Sequence, residues 1–266
     1  MVHLLGANLH FEGKAAVADH RPVVVATVID GPGVGAKILV GEGVGPTGTL
    51  GDEDLDRVVV RDALGELAVG RTGVRHYGER GEAREETVSV FIESFAPPPH
   101  MLVFGAVDFT GALVRVAKVL GYRVTVCDAR EVFATRRRFP HADEVVVDWP
   151  HRLLEREGER LTARDAVCIL THDHKFDVPA IIAALATDAG YIGAMGSRRT
   201  CAERLGRLAE AGADMAAVEA RLHAPIGLDL GGRTPEETAV AICAEIIAAR
   251  TGRASASLTS TTGPLH

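Results

Sequence analysis

Apolar positions follow one pattern before a triple proline and another after it, which predicts two structural units. Before Pro97-Pro98-Pro99, the β-branched runs Val23–Ile29 and Ile38–Val40 read as strands and the glycines from Gly31 to Gly51 as turns. Asp54–Leu67 reads as a helix and Val88–Phe95 as a further strand, giving a small mixed α/β unit over residues 1–96. Consecutive prolines can neither join a central strand nor continue a helix, so they mark a stiff connector. Beyond them, short apolar runs alternate with helical periods: Met101–Phe104 then Ala112–Leu120, Arg123–Cys127, Glu144–Val147, Ala166–Leu170 then Val178–Thr187, and Tyr191–Ala194 then Thr200–Glu210. Strand-length runs without polar alternation are buried on both faces, which predicts a doubly wound α/β unit with a parallel sheet over residues 97–252. Thr234-Pro235-Glu236-Glu237 opens a last helix that runs to about Arg250, with Thr at the N-cap, Pro at the first helical position and Glu closing a capping box. The Ser-, Thr- and Ala-rich stretch from Ala254 to Gly263 lacks apolar periodicity and reads as a flexible tail within residues 253–266.

Composition narrows the function classes. The 266 residues include 29 Lys and Arg against 36 Asp and Glu, a formal charge of −7, with 47% hydrophobic and 24% charged positions. That is the profile of an ordinary globular protein and excludes disorder, collagen and coiled coil. Aromatic residues are only 5%, with Trp149 the sole tryptophan, so base-stacking platforms are lacking and a nucleic-acid partner is not expected. No run approaches the ~18 apolar residues of a bilayer span. The stretch Met1 to Lys14 has no basic cluster before an apolar core, so the expectation is a cytoplasmic protein without a secretory leader. Cys127, Cys168, Cys201 and Cys243 form no CxxC pair and read as buried thiols, with a zinc site as the alternative.

Three segments can carry chemistry. Gly105 follows a strand and precedes the helix starting near Phe109, where a dinucleotide-binding turn belongs, and Asp128 ends the next strand about twenty residues on, where such folds place a ribose-binding carboxylate. The G-x-G-x-x-G fingerprint is incomplete: Gly105-Ala106-Val107 puts a β-branched residue where the second glycine would stand. Ordinary dinucleotide binding and a Rossmann-type fold with an altered site both remain open. Thr171-His172-Asp173-His174-Lys175-Phe176-Asp177 begins at a strand's carboxyl end and reads as a ligand loop, a metal site or a set of turn and helix caps. Gly196-Ser197-Arg198-Arg199 opens a helix after a strand, and its Ser N-cap and two guanidinium groups suit a phosphate; the competing reading pairs the arginines with Glu203 on a solvated face. Pro225 to Gly232, with Gly227, is a glycine-rich loop. There is no G-x-S-x-G, P-loop or H-E-x-x-H sequence, and no cysteine beside a plausible histidine base.

Taken in order, FGAVDFT (104–110), TVCDAR (125–130), RFPHADEVVVDWP (138–150), THDHKFD (171–177), YIGAMGSRRT (191–200), PIGLDLGGRTPEE (225–237) and AEIIAAR (244–250) resemble the XdhC/CoxI family over residues 98–252, in a wording close to its actinobacterial branch. VVVATVIDGPGVGAKILV (23–40) is similar to the family's first strands and glycine turn. The resemblance implies a Rossmann-type C-terminal domain and a smaller XdhC/CoxI-like N-terminal domain. It also implies a non-enzymatic accessory protein that binds molybdenum cofactor (molybdopterin), supports its sulfuration and delivers it to a molybdenum hydroxylase apoenzyme of the xanthine dehydrogenase or CO dehydrogenase type. A cysteine desulfurase is then an expected partner and a homodimer an expected form. The family's N-terminal domain carries a Gly-Gly-Cys-Glu type segment, but the corresponding Thr49-Leu50-Gly51-Asp52-Glu53 has no cysteine, so a role for an N-terminal thiolate is not carried over.

Joined to the residues, the resemblance implies a pterin-phosphate or nucleotide at the carboxyl edge of the sheet. Its phosphate would lie on Ser197, Arg198 and Arg199, Thr171, His172 and Asp173 would line the opposite wall, and Asp128 and Arg130 would lie near any ribose; Gly105, Ala106, Val107, Asp177, Gly196 and Gly227 complete the set of cofactor-binding candidates. Two alternatives stand beside the carrier: an NAD(P)-dependent oxidoreductase on the same fold, and a metal-dependent hydrolase built on His172, Asp173, His174 and Asp177.

Overall fold

Burial alternates along Val23–Asp30 (β1), turning Val24, Ala26 and Val28 to one side of the sheet, as expected for a strand with one face on a core. Their cross-strand neighbours continue the apolar patch: Val24 faces Val40 and Ala26 faces Ile38 on Lys37–Gly41 (β2), while Ala26 faces Ile92 and Val28 faces Val90 on Val88–Phe95 (β5). Val44–Thr49 (β3) and Gly73–Tyr77 (β4) form the edges of this five-stranded antiparallel sheet, in the order β3-β2-β1-β5-β4. One helix, Glu53–Val69 (α1), covers the patch with Leu55, Val59, Ala63 and Leu67, which share a face at four-residue spacing. Burial of each of the Leu and Val side chains contributes about 1.5–3 kcal/mol, and that of the Ala63 methyl about 0.8 kcal/mol. The helix starts where the Asp52 carboxylate accepts from the amides of Asp54 and Leu55 and stops at Gly70, whose φ is 66°.

The computed structural model describes residues 22–41, 44–82 and 85–261, and the chain divides into two compact units, Met1–Pro97 and Pro98–His266. The reading of Met1 to Lys14, and residues 262–266 of the expected tail, lie outside the described residues. Arg253 to Thr261 is exposed and holds one 3-10 turn, Leu258–Ser260.

The second unit is a six-stranded parallel sheet in the order β11-β10-β9-β6-β7-β8. Its elements are His100–Phe104 (β6), Asp108–Val119 (α2), Arg123–Cys127 (β7), Glu144–Val146 (β8), Pro150–Glu157 (α3), Ala166–Ile169 (β9), His174–Leu185 (α4), Tyr191–Ala194 (β10), Arg198–Glu210 (α5), Met215–Arg221 (α6), Leu222–His223 (β11) and Pro235–Thr251 (α7). Alternate residues of each inner strand enter different cores. Met101, Val103, Val124 and Val126 pack with Leu113 of α2 and Ile242 of α7, whereas Leu102, Phe104, Val167 and Ile169 pack with Leu153 of α3, Ile181 of α4 and Leu208 of α5. This two-sided burial explains the unbroken apolar runs. The capping box at the start of α7 is present, with Glu237 N donating to Thr234 Oγ1 at 3.2 Å and Thr234 N to Glu237 Oε2 at 3.0 Å.

The α/β class and the doubly wound sheet match the expectation, and the strands 88–95, 123–127 and 191–194 have the expected bounds. Other elements differ. The glycine-rich stretch that follows the expected strand Ile38–Val40, read as turns, contains β3, and β4, α3, α6 and β11 are additional to the expected elements. The helix expected from Val178 begins at His174, because the Asp173 side chain caps it by accepting from Lys175 N.

Candidate functional site

In an open parallel sheet, ligands bind beyond the carboxyl ends of the strands where the strand order reverses. Here β9 and β7 flank β6, so the loops after β9 and β7 stand on either side of the turn after β6. Gly105 shapes that turn. Its φ is +110°, and a Cβ there would lie 2.8 Å from Thr171 N and 3.2 Å from Thr171 Cα, so only glycine lets the two loops approach this closely. Gly105 N donates to Cys127 O at 2.9 Å, and Leu170 N and Thr171 N both donate to Phe104 O, at 2.8 and 3.1 Å. The three strand ends are thereby locked together. Val107 is the N-cap of α2 and supplies no side-chain cap.

Asp128 occupies the position expected for a ribose carboxylate but is turned inward. It is only 4% exposed, and both oxygens are engaged. Oδ2 accepts from Ala106 N at 2.7 Å and Arg130 Nη2 at 2.8 Å, and Oδ1 accepts from Arg130 N and Arg130 Nε, each at 2.9 Å. Burial alone would raise its carboxyl pKa, but the hydrogen bonds from the Arg130 guanidinium and the two amides outweigh it and hold the group below the usual carboxylate range. The amide that would greet a phosphate is closed by an internal carboxylate, and that carboxylate has no oxygen left for a sugar hydroxyl.

The group that faces outward is Arg130. Its guanidinium lies over the Phe133 ring with Cζ 4.6 Å from the centroid. The Asp128 hydrogen bond, with a smaller contribution from the charge of Asp173 across the turn, raises its pKa. Arg138 braces the same turn from the other side: Nη1 donates to Ala106 O at 3.1 Å, Nη2 lies 3.6 Å from Asp108 Oδ1, and Cζ is 5.4 Å from the Phe133 centroid. Phe133 and Arg138 were missed as site residues; the basic run Arg136-Arg137-Arg138 was their one sequence signal.

After β9, Thr171 is buried and its Oγ1 accepts from Asp173 N at 3.3 Å, while His172 is exposed. Asp173 caps α4 and pairs with Lys175 Nζ at 3.2 Å. Asp177 leaves the loop altogether. Its Oδ2 accepts from Arg204 Nε at 2.9 Å, with side chains only 3% and 1% exposed, and Arg204 Nη2 donates to Met195 O at 2.8 Å. This buried pair ties α4 and α5 to the end of β10 and takes Asp177, a cofactor-binding candidate by sequence, into the core. Among the described residues no group of three or more His, Cys, Asp or Glu could hold a metal ion.

After β10, Gly196 packs close to Cys201, and the Ser197 hydroxyl caps α5 by accepting from Thr200 N at 3.1 Å. Arg198 and Arg199 extend from this helix start with side chains 89% exposed, Arg198 lying 3.9 Å from Asp229 and Arg199 Nε bonding Glu203 Oε1 at 3.0 Å. The expected phosphate donors are at the sheet edge, where the Ser197 oxygen caps the helix and Arg199 Nε is held by the surface carboxylate of Glu203. Gly227, with φ +95°, donates from N to Glu245 Oε2 at 2.8 Å; Tyr191 donates its hydroxyl to the same oxygen, and His223 stacks on Tyr191 at 4.7 Å. Glu245 thus fixes the glycine-rich loop over α7. All four cysteines are buried, and burial pushes the thiols of Cys127 and Cys243 up to about 12 and Cys168 well above its usual value. Among the described residues no helix is long and apolar enough to cross a membrane.

Comparison with known proteins agrees with this layout. Residues 101–246 match the model of the XdhC Rossmann domain, and residues 16–78 match that of the XdhC and CoxI family. The chain is 31% identical over 166 residues to a Bacillus subtilis protein described as a probable xanthine dehydrogenase subunit, covering 62% of this chain and 47% of that protein. It is 26% identical over 257 residues to the uncharacterized protein YqeB from Escherichia coli, covering 90% and 46%. The chain spans about half the length of these curated relatives. A crystal structure described as a xanthine dehydrogenase from Bacillus halodurans shares the fold at 21% identity and a TM-score of 0.51, covering 94% of this chain and 97% of that one.

Proposed function

We propose, from the premise that this chain belongs to the XdhC and CoxI family, that it is an accessory factor for the maturation of a molybdenum hydroxylase. In this reading it binds molybdenum cofactor, assists its sulfuration with a cysteine desulfurase, and delivers it to an apoenzyme of the xanthine dehydrogenase or CO dehydrogenase type. The Bacillus subtilis relative, by its description as part of a xanthine dehydrogenase, supports that client class. Residues 1–96 are the XdhC/CoxI-like domain and 97–252 the Rossmann-type domain. The protein works in the cytoplasm, and a homodimer suits the shielding of a reactive ligand.

The observation that carries the reading is the inward turn of Asp128. A nicotinamide enzyme on this fold presents a free carboxylate to ribose and free amides to pyrophosphate, and here Asp128 and Ala106 N satisfy each other at 2.7 Å. The edge instead offers a flat cation, Arg130, backed by Phe133, and the Asp173 carboxylate. Both fit the pterin part of molybdenum cofactor. Among the described residues no exposed thiol is present to contact the metal, so the fit is to the organic portion of the cofactor.

The test is equilibrium binding. Protein mixed with molybdenum cofactor is passed through gel filtration and retained pterin is read by fluorescence, while NAD(H) and NADP(H) are titrated calorimetrically. Retained pterin with no nicotinamide heat is the expected result. Nicotinamide binding without retained pterin would overturn the reading and point to an NAD(P)-dependent oxidoreductase.

A further inference from the structure

The loops after β7 and β9 place a planar cation and a carboxylate on opposite sides of the Gly105 turn. Arg130 is held in one orientation: Nε and Nη2 form a fork on Asp128 at 2.9 and 2.8 Å, and its own amide reaches the same carboxylate at 2.9 Å. Phe133 covers one face of the guanidinium at 4.6 Å, and the side chain remains 45% exposed. Among the described residues Nη1 donates to nothing. A guanidinium fixed in this way is a stacking plane, since planar heteroaromatic rings lie flat on arginine. Asp173 retains acceptor capacity after capping α4, because an ionised carboxylate offers about four lone-pair sites and its partners here are Lys175 N at 3.2 Å, Lys175 Nζ at 3.2 Å and His174 Nδ1 at 4.0 Å. Asp173 follows β9 and Arg130 follows β7, the two strands that flank β6. The Ala106 amide between them is taken by Asp128, which leaves the fixed guanidinium and the Asp173 carboxylate as the charged groups on either side of the turn.

We infer that Arg130 and Asp173 form a subsite for the 2-amino-4-oxopyrimidine portion of a fused bicyclic heterocycle, which stacks on the open face of Arg130 and directs its adjacent amino and ring N–H donors to the Asp173 carboxylate. The inference rests on the cofactor-binding reading and deepens it by naming the residues and the ring edge. A carboxylate accepts two neighbouring N–H groups of such an edge in parallel, a charge-assisted pairing. A 2,4-dioxo ring lacks the amino donor, and adenine places an acceptor beside its amino group. Pterin and guanine share the required edge, so a pterin cofactor and a guanine nucleotide are the two sources of this chemistry.

The experiment titrates the full chain with pterin-6-carboxylate by fluorescence and with GMP by calorimetry, using lumazine-6-carboxylate and AMP as ring controls. Two variants are compared, Arg130→Lys, which keeps the charge and loses the plane, and Asp173→Asn, which keeps a helix-capping side chain but replaces an acceptor with an amide donor. The expected result is binding of at least one 2-amino-4-oxo probe, with each variant and each matched ring control weaker by roughly ten-fold. Tighter binding of pterin-6-carboxylate assigns the pterin, and tighter binding of GMP assigns the nucleotide. Binding of neither probe, affinity unchanged in both variants, or lumazine-6-carboxylate and AMP binding as well as their partners would overturn the subsite. Gel filtration with molybdenum cofactor separates the two levels. If wild type and both variants retain it equally, the subsite falls and the cofactor reading stands. If the probes bind through Arg130 and Asp173 but no cofactor is retained, the subsite stands and the cofactor reading falls.

Discussion

Two Asp–Arg pairs stand at the carboxyl edge of the same sheet and differ in what they leave open. In the Asp177–Arg204 pair both side chains are sealed, at 3% and 1% exposure, and the guanidinium also holds the carbonyl of Met195. In the Asp128–Arg130 pair the carboxylate is equally buried, at 4%, but the guanidinium is 45% exposed. The first joins two helices to a strand end; the second holds a cation that faces outward. A buried aspartate at a strand end therefore does not by itself mark a ligand-binding carboxylate. On this edge the outward group is the arginine that the aspartate holds.

The largest effect expected from this contrast is that of Asp177→Ala. It would leave Arg204 charged and without its carboxylate in the core, which costs about 3–5 kcal/mol, to be read as a loss of unfolding free energy in urea. A loss under about 1 kcal/mol would mean that water reaches Arg204 and that the two pairs are not different in kind. Next comes Gly105→Ala, which forces a φ of +110° on a residue with a Cβ and costs about 1–3 kcal/mol in backbone strain, with Thr171 pushed away as well. Unchanged stability there would show that the turn and the Thr171 loop are not in close contact.

Asp128→Asn is a smaller change, about 1–2 kcal/mol near neutral pH, because Arg130 can turn to water. Its pH dependence is diagnostic. The folded pKa of Asp128 is held below the unfolded value, so its stabilising contribution is fully present above about pH 4 and is lost as pH falls through the lower folded value. Unfolding free energies of wild type and Asp128→Asn should therefore differ most at neutral pH and converge in acid. A constant difference down to acid pH would show that Asp128 does not act through its charge.

Most of the parallel sheet was legible because strands buried on both faces leave unbroken apolar runs such as Met101–Phe104 and Ala166–Ile169. The elements that escaped carry weaker patterns: β4 is an exposed edge strand with only Tyr77 buried, and β11 is two residues long. The start of α4 was hidden because its apolar run begins after the polar first turn His174-Lys175, and Pro179 lies inside the helix. At the site, the sheet topology located Gly105, Asp128, Thr171 and Ser197 correctly on one edge, since strand ends follow from strand order. Side-chain direction did not follow. That Asp177 would turn toward Arg204, 27 residues on, depends on how α4 and α5 pack, and no spacing within THDHKFD encodes it. Phe133 and Arg138 sit in a loop without periodicity, and only three-dimensional placement puts them against the turn.

The smallest expected effect belongs to Arg198 and Arg199, and it carries the comparison to the far side of the edge. Neither is held by a buried carboxylate: their side chains are 89% exposed, and their partners Asp229 and Glu203 are surface groups at 3.9 and 3.0 Å. Exposed pairs of this type contribute about 0.5 kcal/mol or less. The double change Arg198→Ala and Arg199→Ala should therefore leave the urea midpoint close to wild type. Ligand retention is the informative readout for this variant. If the helix start takes a phosphate, two guanidinium groups without buried partners are free to turn to it, and their loss should weaken retention of molybdenum cofactor while leaving pterin-6-carboxylate, which has no phosphate, unaffected. Equal loss for both ligands would mean that the arginines act through the fold, and no loss for either would confine ligand contact to the side of the edge where an aspartate holds the cation in place.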